Sequence, residues 1–117
     1  MATVQEQVAS VPSRVIRTKE IYVQYRALFD KYHGGMPIGL FVATAQWESD
    51  GKMSSRGDAS LGEVGIFQIA QGTEEEFNVP AGIRSSLEAN FFLAGVEYNA
   101  QAKRLQLKYP KLFPYAA

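Results

Sequence analysis

The chain is 117 residues long, about one domain, and its 46% hydrophobic content with 12% aromatics is enough to fill a single core. Twelve Lys and Arg balance twelve Asp and Glu, so no global field recruits nucleic acid, and only Arg14, Arg17 and Lys19 approach a basic patch. The absence of cysteine excludes disulfides, thiolate catalysis and cysteine-based zinc sites, and nothing in the sequence implies a cofactor or a resident metal.

Residues 1–17 hold Val, Gln, Ser and Arg with Pro12 and no sustained period, which reads as an N-terminal arm or tail ahead of one domain over 18–117. They contain no apolar run long enough for a signal-peptide core, and no later segment is suited to span a bilayer. The expectation is therefore a chain that leaves the cell by another route, or one lacking its targeting segment.

From Thr18 a helical pattern begins, with Ile21, Tyr25, Leu28 and Tyr32 at spacings of 4, 3 and 4, and Gly34-Gly35 supplies a left-handed cap. Pro37 suits the first turn of a second helix, whose inward stripe of Ile38, Phe41, Ala45 and Glu48 ends near Asp50-Gly51. Lys52 to Gly62 is polar and rich in Ser and Gly, as a surface loop should be. Gly65 to Ile69 is a short apolar segment. Thr73 with Glu76 forms a capping box for a brief helix ended before Pro80, and Ser85 with Glu88 repeats the box. That second box opens the longest helix, with Leu87, Phe91, Ala94, Tyr98, Ala102 and Leu105 on one stripe running to about Leu107. No convincing strand, internal repeat or low-complexity tract is present, so the expected class is all-α, a compact helical domain.

Glu48 stands out because a carboxyl group on a core-facing stripe is expensive unless it does chemistry. Apolar neighbours, with Trp47 and Phe41 as candidates, would keep it protonated near neutral pH, as an acid that protonates a glycosidic oxygen must be. The plainer alternative is a Glu in the last helical turn that points to water. Gly62 and Gly65 allow backbone to approach a ligand closely, and the Gln68 amide can donate to and accept from sugar hydroxyls or acetamido groups; a tight turn feeding the core is the alternative there. His33, the sole histidine, falls in the last turn of the first helix, where its partial charge suits the helix dipole. Arg56-Gly57-Asp58 matches the tripeptide of integrin ligands, and in a Ser-rich loop chance accounts for it.

Glu48-Ser49 followed by Gly62-Glu63-Val64-Gly65-Ile66-Phe67-Gln68-Ile69, with Thr73 a few residues on, resembles the soluble lytic transglycosylases and goose-type lysozymes of the lysozyme-like superfamily. The resemblance covers roughly residues 20–110. It implies a lysozyme-like fold, Glu48 as the catalytic acid, and Ser49 hydrogen-bonding near it. It also implies that Gly65, Ile66, Phe67 and Gln68 line the sugar cleft, with Phe67 replacing the family's Met and able to stack on a pyranose face. Asn90, Gly95 and Tyr98 match the family's Asn-x-x-x-Gly-x-x-Tyr with one extra residue between Asn and Gly. The family's later Ala-Tyr-Asn-Ala-Gly, whose Tyr supports the acid, has no full match. Tyr98-Asn99-Ala100 is a rearranged equivalent, a coincidence around a core aromatic, or the sign of a fragment cut before the motif.

The reaction the resemblance implies is cleavage of the bond between N-acetylmuramic acid and N-acetylglucosamine in peptidoglycan glycan strands, giving 1,6-anhydro ends without a cofactor. A hydrolase is the alternative, with Asp58 or Glu63 as second carboxylate holding a water. A non-catalytic glycan-binding or structural module of a larger assembly, such as a phage virion, is the third reading. The place of action is in each case the bacterial cell wall, in the periplasm or outside the cell.

Overall fold

The computed structural model describes the backbone of residues 4–111 and the side chains of residues 12–111. Among the described residues five helices follow one another: α1 Val4–Gln24, α2 Arg26–Tyr32, α3 Ile38–Ser49, α4 Gln71–Glu76 and α5 Leu87–Lys108, with a 3-10 turn at Ile83–Ser85 before the last. Among the described residues, pairing between extended segments is confined to two isolated antiparallel bridges, Arg56 with Val64 and Val64 with Ile69. The fold is thus mainly α, as the periodicities predict. No helix of the described residues is long and apolar enough to cross a membrane.

Four phenylalanines, one from each of four separate elements, form the centre. Phe41 of α3 stacks on Phe67 at 4.6 Å between ring centroids and 22° between planes. Phe91 of α5 meets Phe67 edge-on at 5.1 Å, and Phe29 of α2 meets Phe91 edge-on at 4.9 Å. All four are buried, and each ring pair adds about 0.5–1.5 kcal/mol beyond its area. Phe67 lies in the glycine-rich turn between α3 and α4, so the aromatic cluster fixes that turn against the end of α3.

The helix starts and stops differ from the sequence expectations in instructive ways. The expected arm is helical from Val4 onward, continuing through Pro12 into the helix placed at Thr18, while Met1–Thr3 fall outside the described residues. Tertiary bonds hold its second half to α3: Arg17 Nε donates to Asp50 Oδ1 at 3.1 Å, Arg17 Nη2 to the Asp50 carbonyl at 2.8 Å, and Gln46 Nε2 to the Arg14 carbonyl at 3.2 Å. The single helix expected over 18–33 is broken at Tyr25 (φ −123°, ψ 31°), whose hydroxyl donates to the Gly51 carbonyl at 3.3 Å and whose ring packs on Phe91. Pro37 is the N-cap of α3 and not a residue of its first turn. Gly34 does take the left-handed conformation (φ 60°), and Asp50 (φ 54°) ends α3 where expected.

Both capping boxes are displaced. Ala70 caps α4, which leaves Thr73 inside the helix, buried, with its hydroxyl 3.4 Å from Glu97 Oε2. Ser86, one residue after the expected Ser85, caps α5 by accepting the Ala89 N–H at 3.2 Å. On α5 the stripe is buried at Phe91, Ala94 and Ala102, while Leu87 and Leu105 at its ends are exposed. Gly95 lets α5 cross α2 closely, because a Cβ there would run into the Tyr32 carbonyl.

Candidate active site

The end of α3 is tied to the glycine-rich turn by one buried hydroxyl. Ser49 Oγ donates to the Ile66 carbonyl at 2.7 Å and accepts from the N–H groups of Gly51 (3.1 Å) and Lys52 (3.2 Å). It thereby satisfies groups that the helix end leaves open. Beyond it, Val64 and Ile69 exchange two backbone bonds of 3.1 and 3.0 Å around a tight turn. Gly65 (φ 86°) and Gln68 (φ 50°) are both left-handed, a conformation that costs a non-glycine residue about 1–3 kcal/mol unless its surroundings hold it.

Asn90 of α5 supplies that hold. It is fully buried; its amide oxygen accepts the Phe67 N–H at 2.9 Å, and its amide nitrogen donates to the carbonyls of Val64 (3.0 Å) and Arg84 (2.9 Å). A Cβ on Gly65 would stand 2.5 Å from Asn90 Nδ2, so glycine is required there for close approach as well as for its φ. The Gln68 side chain completes the lock, with Nε2 donating to the carbonyls of Gly65 (2.7 Å) and Ser55 (3.1 Å).

Glu48 sits beside this assembly on the flank of α3 and not on its core face. Successive helical residues turn by about 100°, which points Phe41, Val42, Ala45 and Ser49 inward and leaves Glu48 at the edge, exposed. Its carboxyl nevertheless has a raised pKa, first through partial loss of water and second through the negative charge of Glu63. The Tyr98 hydroxyl is raised in turn, by burial first and then by the charges of Glu48 and Glu97. The Tyr98 ring packs edge-on against Phe41 at 6.4 Å and Phe67 at 6.1 Å, so it is a core aromatic whose hydroxyl also feels the Glu48 charge. Trp47 is not a wall for Glu48: it is 87% exposed and borders a depression with Arg14, Ala43, Gln46 and Asp50 on the α1 side of the helix.

The two candidate second carboxylates separate. Asp58 is exposed and occupied by its own loop, with Oδ1 accepting from Ser60 N (2.9 Å) and Ser60 Oγ (2.6 Å), and these bonds lower its pKa. Glu63 is half-buried, accepts the Asp58 N–H at 2.8 Å, and is the carboxylate whose charge bears on Glu48. A further acid escaped the sequence reading: Glu97, next to Tyr98, has its pKa raised chiefly by burial and shares a bond with Thr73. Its position just before an inward-pointing Tyr was the available signal.

The charge of Glu63 thus bears on Glu48 and that of Glu48 on Tyr98, while several of the residues expected to line the sugar cleft face the interior. Gly65, Ile66 and Phe67 are buried beneath the turn, Phe67 at 1% exposure, so its ring stacks on Phe41 and cannot stack on a pyranose. Ser49 spends its hydroxyl on the loop, and Gln68 spends its amide nitrogen there. Asn99 does likewise, donating to the carbonyls of His33 (3.0 Å) and Gly95 (2.7 Å) and accepting from Gly35 N–H (3.0 Å), a clamp on the α2–α3 turn. His33 Nδ1 is 2.8 Å from the Met36 carbonyl, and among the described residues no three or more acidic or His side chains converge as metal ligands would. No family model, curated protein or solved structure matches this chain.

Proposed function

We propose that the chain is a peptidoglycan lytic transglycosylase that cleaves the β-1,4 bond between N-acetylmuramic acid and N-acetylglucosamine, with Glu48 as its general acid and base. The observation that carries this reading is the carboxyl group itself. Glu48 stands at the exposed edge of α3, has a raised pKa, and is locked through Ser49 and Ile66 to the glycine-rich turn that resembles the family's motif. In the reaction, Glu48 gives its proton to the glycosidic oxygen while the substrate's acetamido group assists at the anomeric carbon. The Glu48 carboxylate then takes the proton of the muramoyl 6-hydroxyl, whose oxygen closes on the anomeric carbon to give the 1,6-anhydro sugar. No water or cofactor is consumed, and the enzyme returns to its protonated form. Tyr98 is the proposed support for Glu48, and the bacterial cell wall is the proposed place of action.

A hydrolytic reading has one observation in its favour, the charge of Glu63 bearing on Glu48, because a second carboxylate can hold and activate a water. Asp58, engaged by Ser60, is the weaker partner. Mass spectrometry of soluble muropeptides separates the readings: 1,6-anhydro ends are expected, reducing ends support hydrolysis, and no product with retained wall binding supports a non-catalytic module. Glu48→Gln is expected to abolish product while leaving the circular dichroism spectrum unchanged, and a Gln variant that still clears peptidoglycan would remove Glu48 from the chemistry.

A further inference from the structure

Trp47 is the chain's one tryptophan, and it stands 87% exposed on α3. An indole left in water forgoes the burial that a large aromatic ring usually gains. Side chains on a helix lean toward its N-terminus, which sets the ring over the preceding turn, where residue 43 is an exposed alanine. Trp47 and Ala43 line a depression of about 580 Å3 together with Arg14, Gln46 and Asp50. Its size falls within the roughly 300–1,000 Å3 of small-molecule sites. The polar edge is held in place from α1. Gln46 Nε2 donates to the Arg14 carbonyl at 3.2 Å, and Gln46 Oε1 accepts from the Thr18 hydroxyl. Asp50 Oδ1 accepts from Arg17 Nε at 3.1 Å, and the Asp50 carbonyl accepts from Arg17 Nη2 at 2.8 Å. The second carboxylate oxygen of Asp50 has no hydrogen-bond partner among the described residues, and the side chain is 50% exposed.

A flat aromatic face bordered by a fixed carboxylate matches the chemistry of a pyranose ring. The C–H face of such a sugar is apolar and packs on an indole, while the hydroxyls around its edge meet hydrogen-bonding groups to the side. A protein partner fits less well. Covering the depression with protein would take the Arg17–Asp50 pair out of water, a cost that the hydroxyls of a sugar offset. We propose that Trp47 is the stacking platform of a sugar-binding subsite on the α1 side of α3, with Asp50 accepting hydrogen bonds from the hydroxyls of a bound hexopyranose. That the sugar belongs to a peptidoglycan strand rests on the proposed function; that it is a pyranose rests on the platform. Successive helical residues turn by about 100°, so the subsite lies on a different side of α3 from Glu48 and touches no reacting atom.

Because the chain has no other tryptophan, its indole emission reports this residue alone. The full chain carrying Glu48→Gln, to prevent turnover, is titrated with β-1,4-linked N-acetylglucosamine oligomers and separately with purified peptidoglycan glycan strands. Emission is expected to move to shorter wavelength and to become protected from quenching by acrylamide. In the same background Trp47→Ala should weaken binding about tenfold by calorimetry, and Trp47→Phe should recover most of that loss. A chain that binds glycan at Trp47 while the protein with native Glu48 releases no product sinks the transglycosylase reading and leaves this one standing. Emission and quenching unaltered by either glycan at millimolar concentration overturn the proposal, even where product is released. A Trp47→Ala affinity equal to that of the Trp47 protein overturns it too. Emission that shifts when the protein alone is concentrated, with no response to glycan, assigns Trp47 to a contact between copies and equally overturns it.

Discussion

A carboxyl partly withdrawn from water and facing another negative charge keeps its proton to higher pH than one in free solution, and Glu48 meets both conditions. Its raised pKa has a definite sign in catalysis. As general acid it must be protonated, so the rate falls as pH rises through that raised value, on a limb above the usual Glu value of about 4.3. The pH profile of kcat/KM on isolated glycan strands should show this alkaline limb, moved toward lower pH in Glu63→Gln; a limb that stays in place would mean that another group supplies the proton. Two residues were legible for this much from sequence, Glu48 by its place on a helix and Glu63 by its place in the glycine-rich motif. The flank on which Glu48 lies was not. A stripe at spacings of 3, 4 and 3 fixes a side of the helix only to within about 100°, and the core begins one residue further round, at Ser49.

The elements that matter most for the site are the glycine-rich turn and α5, joined by Asn90. Two left-handed residues in one turn are held by that amide and by the Phe67 ring. Asn90→Ala would leave the Phe67 N–H and the carbonyls of Val64 and Arg84 without this partner in a buried place, where each unmet group costs about 1–3 kcal/mol. The expected result is a loss of at least about 3 kcal/mol in urea unfolding, together with changed chemical shifts at Ser49 and Ile66. A loss below about 1 kcal/mol would show that water replaces the amide. Sequence placed Asn90, Gly95 and Tyr98 on one helix with a family-like pattern, one residue out of step. Their separate uses emerged from contact: Asn90 holds the turn, Gly95 admits the Tyr32 carbonyl, and Tyr98 spans core and site.

At the scale of the whole molecule, the shortest ion pair among the described residues is that of Glu74 and Arg84, 2.6 Å apart, with Glu74 only 1% exposed. Burial alone would raise the Glu74 pKa, but the N–H groups of Arg84 and Gly82 and the Arg84 guanidinium outweigh it, so the net shift is downward. A lowered carboxylate binds protons less readily in the folded state, so its stabilising contribution is present above about pH 4.3 and is lost as pH falls through its folded value. Denaturant midpoints measured from neutral pH downward should therefore fall in the acid range. Glu74→Gln should be less stable at neutral pH and should flatten that fall; an unchanged acid slope would assign it to other groups. The pair also steadies the site, since Arg84 Nε donates to the Gly62 carbonyl at 3.0 Å. By itself, the sequence determined the all-α class, the polar loop, the last helix and a candidate acid beside a glycine-rich turn, because periodicity, glycine and proline act locally. Tertiary structure decided the break at Tyr25, the helical course of the expected arm and the burial of Phe67. Each of these follows from partners distant along the chain, whose contacts outweigh local preference and leave no mark on the spacing of nearby residues.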